Sequence, residues 1–373
     1  MNKIEYLKDK LYKHRNILNP IAECGRKEYK TASYIREQLD QMNVAYETYL
    51  DTATVGMIKG KNPKKTIAFR ADIDGLITEN GVRHLCGHDG HTTILLGLVE
   101  FLNDNKEKLN DNIVFIFQPA EEGPGGAEAL IEAGVLKDYN VDEIYGLHIY
   151  PEIQEGYVGT RPGYFLAQVG DIDIDIIAKS GHGAMPQNAI DGIVIAANFI
   201  SNLQTIVSRN ISPIDNAVLT MGKIQGGSRR NIIAENIRIE GSLRAFHPEI
   251  YSNIKKRINE LARGFELAYN CKINVNVKDD YISVKNDKNL YDEFIEAVGD
   301  RVIELDPLMI SEDFSYYQRE VPGLFFMLGS RNEEKGFTNG LHSLNFNFNE
   351  DIFINALNVY IDLLKHKKSI DTI

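Results

Sequence analysis

The sequence has few cysteines, no long apolar run and a deficit of positive charge. Three cysteines in a chain of 373 residues favour a reducing compartment over a disulfide framework. No run approaches the ~20 apolar residues of a membrane-spanning helix, and the charged start MNKIEYLKDKLYKHRNIL is unlike a signal peptide. A net charge of −12 argues against binding to nucleic acid or anionic membranes. We therefore expect a cytoplasmic protein with neither as a partner.

The length and the order of apolar segments predict two domains. A chain of 373 residues is long for a single compact domain. In its first part, apolar strands such as TIAFRAD and IVFIFQ alternate with helical segments such as TTILLGLVEFL. This alternation predicts an α/β fold whose mostly parallel sheet is covered by helices. EALIEAGVL is expected to form one helix, and the residues that follow TIAFRAD are expected to form a loop running to Gly87.

A different pattern begins near Tyr164. DIDIDIIA alternates polar and apolar residues, which predicts a half-exposed strand, and we expect it at an edge of its sheet. A helix, two strands, a helix and a strand follow, in the β-α-β-β-α-β order of a ferredoxin-like domain. The α/β pattern resumes after Lys278. The predicted boundaries are residues 1–163 and 279–373 for the larger, catalytic domain and 164–278 for the inserted one.

Acids and a histidine lie where strands of the first pattern end. Asp72 ends TIAFRAD, Glu121 and Glu122 follow IVFIFQ, and His148 closes another apolar strand. Ligands of parallel α/β sheets bind at the carboxyl ends of the strands, so these side chains are expected close together. One carboxylate of the glutamate pair could bind a metal while the other acts on water. Asp72 could orient a metal ligand from an outer position.

Further metal-binding groups occur in two glycine-containing segments. Cys86 and His88 lie in CGHDGH, and His342 lies in FTNGLHS; thiolate and imidazole are good ligands for zinc-like ions. Each signal alone has a simpler interpretation, since a buried cysteine, a structural histidine and a solvated acidic turn are all common. Together the donors are numerous enough for two ions, and the combination is far more specific than any one of them.

The motifs of the chain occur in the order found in a known family. RADIDGL, CGHDGH, FQPAEEGPGGA, GLH, SGHGAMP, GGSRRNIIAE, GSLRAF and SEDF resemble the hippurate hydrolase and N-acetyldiaminopimelate deacetylase family. That family belongs to the larger group of aminoacylase and carboxypeptidase-like dinuclear metallopeptidases. The resemblance covers nearly the whole chain. It implies an amidohydrolase with a catalytic α/β domain and an inserted dimerisation domain.

The resemblance also implies roles for individual residues. The metal ligands, for two divalent ions per subunit (Mn²⁺, Zn²⁺, Co²⁺ or Ni²⁺), would be Cys86, His88, Glu122, His148 and His342. Glu121 would be the general base and Asp72 a supporting active-site acid. On the inserted domain, His182, Asn231 and Arg244 resemble residues that bind the oxyanion and carboxylate of the substrate. We expect a homodimer formed through that domain, with His182 reaching the active site of the partner subunit.

The chain departs from the family pattern near the expected substrate pocket. The start HRNILNPIAE lacks a second histidine that is usual there, and residues 76–84 form a shorter loop than usual. We expect hydrolysis of N-acyl-L-amino acids, which releases acetate, benzoate or a similar acid and a free amino acid. The alternatives are N-acetyldiaminopimelate deacetylation in lysine biosynthesis, a metal-dependent dipeptidase or aminopeptidase, and a binding protein without activity. His14, His247 and His366 match no motif and are expected on the surface.

Overall fold

The structure is a computed structural model that describes residues 4–371. Its helices are α1 (Lys8–Leu18), α2 (Tyr29–Gln41), α3 (His88–Asp104), α4 (Ala127–Glu132), α5 (Val135–Asp138), α6 (Gly192–Asn210), α7 (Pro248–Tyr269), α8 (Lys288–Val298), α9 (Ser315–Glu320) and α10 (Ile352–His366). Among these residues, no helix has the length and apolar character that crossing a membrane requires.

The strands fall into one large sheet, one smaller sheet and several short pairs. In chain order they are β1 (Tyr46–Tyr49), β2 (Ala53–Ile58), β3 (Thr66–Asp72), β4 (Leu76–Thr78), β5 (Gly81–Arg83), β6 (Asn112–Gln118), β7 (Glu143–Gln154), β8 (Val158–Thr160), β9 (Gly163–Leu166), β10 (Gln168–Ile177), β11 (Gly181–His182), β12 (Ala217–Gly226), β13 (Ile232–Ile233), β14 (Asn236–Ala245), β15 (Lys272–Asp279), β16 (Val284–Asn286), β17 (Val302–Glu304) and β18 (Gly323–Arg331).

The chain divides into two compact units. The first comprises the residues up to Phe165, Lys285–Asp306 and the residues from Asp313 onward, and the second comprises Leu166–Val284 and Pro307–Glu312. The segment Pro307–Glu312 was assigned to the catalytic domain by the predicted boundaries, whereas here it packs with the second unit. This segment joins the second unit through contacts between residues far apart in the chain, such as the hydrogen bond from the Ala167 N–H to the Ile310 carbonyl (2.9 Å). A local sequence pattern does not reveal such contacts.

The first unit contains an eight-stranded sheet in the order β1-β2-β6-β3-β7-β18-β8-β17. At its centre β6, β3, β7 and β18 run parallel to one another. The apolar runs of β3 and β6 are buried on both faces, as expected for central parallel strands that helices cover. Helices α3 and α10 contribute much of the main core. The predicted mostly parallel α/β fold is confirmed.

Three local predictions in the first unit were wrong. EALIEAGVL forms two short helices, because Gly134 adopts a φ of 98° and the left-handed conformation ends α4 before α5 begins. The expected loop after β3 contains the antiparallel pair β4–β5. His14 is also buried rather than exposed; its Nδ1 lies 2.8 Å from the Tyr34 hydroxyl, and burial lowers its pKa to about 4.

The second unit contains a four-stranded antiparallel sheet in the order β12-β14-β10-β15. Helices α6 and α7 pack against it around a core that includes Phe199, Ile239 and Ile258. The element order is the predicted β-α-β-β-α-β. However, β10 (DIDIDIIA) pairs with β14 on one side and β15 on the other, so its prediction as an edge strand was wrong. Alternation of polar and apolar residues indicates that one face of a strand is exposed. Both central and edge strands of an antiparallel sheet can have this pattern.

Candidate active site

The loop before α3 carries two of the predicted metal ligands. Cys86 is buried, and His88 begins α3 directly after Gly87. Gly87 has a φ of 87°, a conformation that favours glycine and lets the chain turn sharply into the helix. His342 has a φ of 65°, and its backbone N–H donates to the Leu85 carbonyl at 2.8 Å. This bond ties the His342 segment to the Cys86 loop.

The turn after β6 carries the glutamate pair. Glu121 is only 6% exposed, and the Glu122 backbone N–H donates to Asp74 Oδ2 at 3.0 Å. The other oxygen of that carboxylate, Asp74 Oδ1, lies 3.1 Å from His88 Nδ1. Asp74 therefore joins the end of β3 to both the glutamate turn and the Cys86 loop. The sequence reasoning missed Asp74, although it is the second acid of RADID.

Asp72 has different partners from those of Asp74. It is fully buried, and it accepts hydrogen bonds from Arg70 Nη1 (2.8 Å) and His91 Nδ1 (2.5 Å). Its Oδ2 lies 3.7 Å from His88 Nε2. Burial would raise the pKa of Asp72, but His88, His91 and Arg70 outweigh it and hold that pKa well below the ordinary range. The carboxylate bonded to the ring of His88 is thus Asp74, and the supporting role of Asp72 stays a prediction.

Hydrogen bonds to backbone groups determine which ring nitrogen carries the proton in His148 and in His91. A carbonyl can only accept, so His148 Nδ1–H donates to the Ile149 carbonyl (2.7 Å) and leaves Nε2 as the metal-binding atom. His91 Nε2 accepts a hydrogen bond from the Ile149 backbone N–H (2.8 Å), and its Nδ1–H donates a hydrogen bond to Asp72. Both nitrogens of His91 are therefore used by the protein.

The potential metal-binding atoms of the five predicted ligands lie at distances typical of atoms that bind the same ion. Cys86 Sγ is 3.3 Å from Nε2 of both His148 and His342. Glu122 Oε1 is 3.5 Å from His342 Nε2 and 4.0 Å from His88 Nε2. Two ligands about 2.0–2.3 Å from a tetrahedral ion lie roughly 3.5 Å apart. These spacings are those of a ligand shell.

The structure brings all five predicted ligands together, with the predicted base among them. Their donor atoms form groups in which each atom lies within 4.8 Å of the others: Cys86 with His88 and His148, Cys86 with Glu122 and His342, and His88 with Glu121 and Glu122. Cys86 belongs to two of the groups, and so does His88. Overlapping groups of this kind could hold two neighbouring ions.

The electrostatics of the cluster suit a divalent cation. Within residues 4–371, His88 Nε2 and Glu122 Oε1 are buried atoms without a hydrogen-bond partner. Burial lowers the pKa of His88, but Asp72 and Asp74 outweigh it and raise the pKa to about 10. Burial, with added repulsion from Glu122 and Glu121, raises the pKa of the Cys86 thiol. The carboxylate contributions to both pKa shifts reflect a negative potential, and the mixture of thiol, imidazole and carboxylate donors fits a zinc-like ion.

The three predicted substrate-binding residues lie in the second unit. His182 is exposed on β11, which pairs with β13, and its Nδ1 accepts the Ala184 backbone N–H at 3.1 Å. Asn231 lies beside it, since the Gly183 N–H donates to the Asn231 carbonyl at 2.9 Å. Arg244 lies on β14 and donates through Nη1 to the Met309 carbonyl at 2.6 Å. The structure thus groups His182 with Asn231, which lies in the turn before β13, whereas Arg244 lies in the four-stranded sheet.

Known proteins resemble this chain over nearly its whole length. It is 38% identical to an N-acetyldiaminopimelate deacetylase of Bacillus pumilus over 370 residues, which cover 94% of this chain and 96% of that protein. A protein of the same name from Bacillus velezensis is 38% identical over 372 residues, covering 95% and 97%.

Solved structures show the same architecture. A protein from methicillin-resistant Staphylococcus aureus, described as an aminohydrolase, superposes with a TM-score of 0.90 at 31% identity, covering 99% of this chain and 100% of that one. A dinuclear metal-binding peptidase of family M20 from Bacillus subtilis gives a TM-score of 0.83 at 28% identity over 96% and 98%. Residues 68–366 match the peptidase family M20/M25/M40. The chain belongs to this family, and it is a metal-dependent amidohydrolase.

Proposed function

We propose that the protein removes the acetyl group from N-acetyldiaminopimelate. The observation that carries the proposal is the adjacent pair of the buried Glu121 and the half-buried Glu122 within a cluster of metal-binding donors, because such a pair can divide metal binding and proton transfer between adjacent residues. The relatives named for this activity, at 38% identity over nearly the full length, favour N-acetyldiaminopimelate over the general N-acyl amino acids that the sequence analysis ranked first.

In this proposal the protein holds two divalent ions through Cys86, His88, Glu122, His148 and His342. The ions, which could be manganese, zinc, cobalt or nickel, would acidify water and polarise the amide carbonyl. Glu121 accepts a proton from the attacking water and returns it to the departing amine. Asp74 and the Ile149 carbonyl fix the rings of His88 and His148, so that Nε2 of each stays available.

The second unit supplies the groups that recognise the substrate. The Arg244 guanidinium can bind both oxygens of a substrate carboxylate, and His182 and Asn231 can donate hydrogen bonds to the oxygen that gains charge during the reaction. Diaminopimelate carries a second amino and a second carboxyl group at its far end. A pocket built for those groups would reject acyl amino acids that lack them.

A substrate panel tests the proposal. The purified protein, with added Mn²⁺, Co²⁺ or Zn²⁺, would be assayed on N-acetyldiaminopimelate, other N-acetyl amino acids, N-benzoylglycine and dipeptides. We expect kcat/KM for N-acetyldiaminopimelate to exceed that for the others by at least about 10-fold, and a chelator to abolish activity. Faster cleavage of N-benzoylglycine would return the assignment to general N-acyl amino acid hydrolysis. Faster cleavage of dipeptides would assign a peptidase.

We expect Cys86→Ser to lose metal affinity by about 10²-fold or more, because a neutral hydroxyl replaces a thiolate of similar volume. Metal content after dialysis against a buffered series of free Zn²⁺ measures the effect. Cys24→Ser makes the same chemical change at a half-buried thiol outside the donor cluster, and it should bind metal like the wild type. Equal metal content in the two variants would instead make Cys86 a buried residue without a ligand role.

A further inference from the structure

Glu28 is a buried carboxylate at the N-terminus of α2 that no motif of the sequence analysis included. It has no exposed surface, and burial raises its pKa. Its Oε1 accepts the backbone N–H groups of Ala120 (2.8 Å) and Arg26 (3.0 Å), and its Oε2 accepts the Thr52 hydroxyl (2.9 Å). Burying a carboxylate is unfavourable unless its oxygens accept hydrogen bonds. Three donors of the chain provide these hydrogen bonds to Glu28.

The most distant of these donors adjoins the predicted base. Ala120 precedes Glu121 and has a φ of 60°, a left-handed conformation that is unfavourable for a non-glycine residue. Such a conformation persists only where the surroundings hold it. The Glu28 carboxylate binds the N–H of Ala120, and the Ala120 carbonyl accepts the Gly125 N–H at 3.1 Å. The backbone is thus held on both sides of the Ala120 Cα.

Two further contacts connect residues 25–28 with residues 120–125. Arg26 Nη2 donates to the Gly125 carbonyl at 2.8 Å. Gly25 packs so closely that a Cβ there would lie 2.2 Å from the Gly123 carbonyl oxygen and 3.0 Å from the Ala120 Cα. The residues before α2 therefore bind the turn of residues 120–125 at three points, and that turn carries both Glu121 and Glu122.

We propose that Glu28 is a positioning residue, which holds the Ala120 backbone so that the Glu121 carboxylate is aimed at the reacting atoms. This inference rests on the proposed function of Glu121 as the general base. Glu28 is about 90 residues from Ala120 in the chain and touches none of the predicted metal ligands through a hydrogen bond that the structure shows. Its effect on the reaction is transmitted through one peptide N–H and the conformation that this bond holds.

We expect Glu28→Ala to lower kcat by about 10²-fold, since a displacement near 1 Å of a catalytic group costs about that much. KM, measured at saturating metal, should stay within about 3-fold of the wild-type value, because no substrate contact is lost. Glu28→Gln keeps the shape and an accepting oxygen, so it should restore most of the rate. If Glu28→Ala does not fold, Glu28→Asp retracts the carboxylate by one methylene and should lower kcat in the same direction.

Asp111 provides a matched control. It is another buried carboxylate that accepts two backbone N–H groups, from Lys64 and Lys65, and one hydroxyl, from Ser369. Asp111 lies before β6, whereas Ala120 lies after β6. The site of Asp111 is therefore separated from Ala120 by the length of a seven-residue strand, roughly 23 Å. Asp111→Ala should lower Tm as Glu28→Ala does while kcat stays at the wild-type value. A purely structural role for Glu28 predicts the same behaviour for both variants.

Hydrogen–deuterium exchange gives a second readout that needs no substrate. In Glu28→Ala, the backbone amides of residues 120–123, 125 and 126 should exchange more than about 10-fold faster than in the wild type, and in Asp111→Ala they should not. Unchanged exchange in Glu28→Ala would overturn the inference. Faster exchange with a wild-type kcat would also overturn it, provided that Glu121→Gln is inactive on the same substrate. If the wild type hydrolyses nothing in the panel, the proposed function fails, and the exchange result still decides whether Glu28 holds the turn.

Discussion

Glu121→Gln is expected to keep its metal and to lose kcat by about 10²–10⁴-fold. The amide has nearly the shape of the carboxylate, but it cannot accept a proton from water at neutral pH. Glu121 is buried beside His88, with Oε2 3.9 Å from His88 Nε2, whereas the neighbouring Glu122 lies among the Cys86 and His342 donors. Removing proton transfer without removing a ligand should therefore separate activity from metal content.

Metal analysis and steady-state kinetics on the purified variant measure both quantities. Glu132→Gln makes the same chemical change at an exposed position at the end of α4 and should behave like the wild type. More than a few per cent of residual kcat in Glu121→Gln would contradict its role as the base. Loss of metal from Glu121→Gln would instead make Glu121 a ligand and leave the base to be found among the other acids of the cluster.

His182→Ala is expected to lower kcat by about 10²–10³-fold, which is the usual loss when one donor to the developing oxyanion is removed. His182 is exposed on β11, and among residues 4–371 its side chain makes only a local bond, to the Ala184 N–H. Its Nε2 therefore stays available to a substrate. If the protein is the predicted homodimer, we expect His182 to serve the active site of the partner subunit.

The exposed strand that favours such a dimer differs from the one the sequence suggested. β10 lies inside its sheet, while β12 lies at an edge and carries the exposed apolar side chains of Val218 and Ile224. An unpaired edge with apolar side chains favours pairing with a symmetry-related copy. The predicted dimer therefore has a specific candidate contact, β12 against the same strand of a second chain.

Mixing two inactive variants tests whether His182 acts between subunits. In a heterodimer of His182→Ala and Glu121→Gln, action in trans leaves one site without either group and one site intact. With random exchange of equal amounts, about half the dimers are heterodimers, so activity should rise to about a quarter of the wild-type value. Action within one subunit predicts no recovery.

Subunit exchange must be demonstrated for that mixture, for example by energy transfer between labelled chains. Mixing His182→Ala with His182→Ala that carries a different label is the matched control, since it exchanges subunits but restores no site. A monomer in solution, or exchange without recovery of activity, would overturn the trans role. In that case His182 would serve its own subunit or would only close the β11 turn through its bond to Ala184.

Much of the fold could be predicted because its signals are local. Apolar runs such as IVFIFQ become buried central strands, and strict alternation in DIDIDIIA becomes a strand with one exposed face, since periodicity reports burial directly. The order of these segments was enough for the mostly parallel sheet and for the β-α-β-β-α-β unit. The position of β10 between β14 and β15 depends on pairing with segments about 70 and 100 residues away, and periodicity contains no information on partners.

The candidate site divides in the same way. The sequence by itself determined which donor groups the chain possesses and that Glu122 and His148 follow strand ends, and the resemblance of its motifs led to Cys86, His88, Glu122, His148 and His342 as one cluster. Only the tertiary structure decided that Asp74, rather than Asp72, bonds the ring of His88, and that Glu28 reaches the N–H before Glu121. The reason is physical: a hydrogen bond needs its two atoms within about 3 Å, and strand order and loop conformation, not residue type, bring distant atoms to that distance.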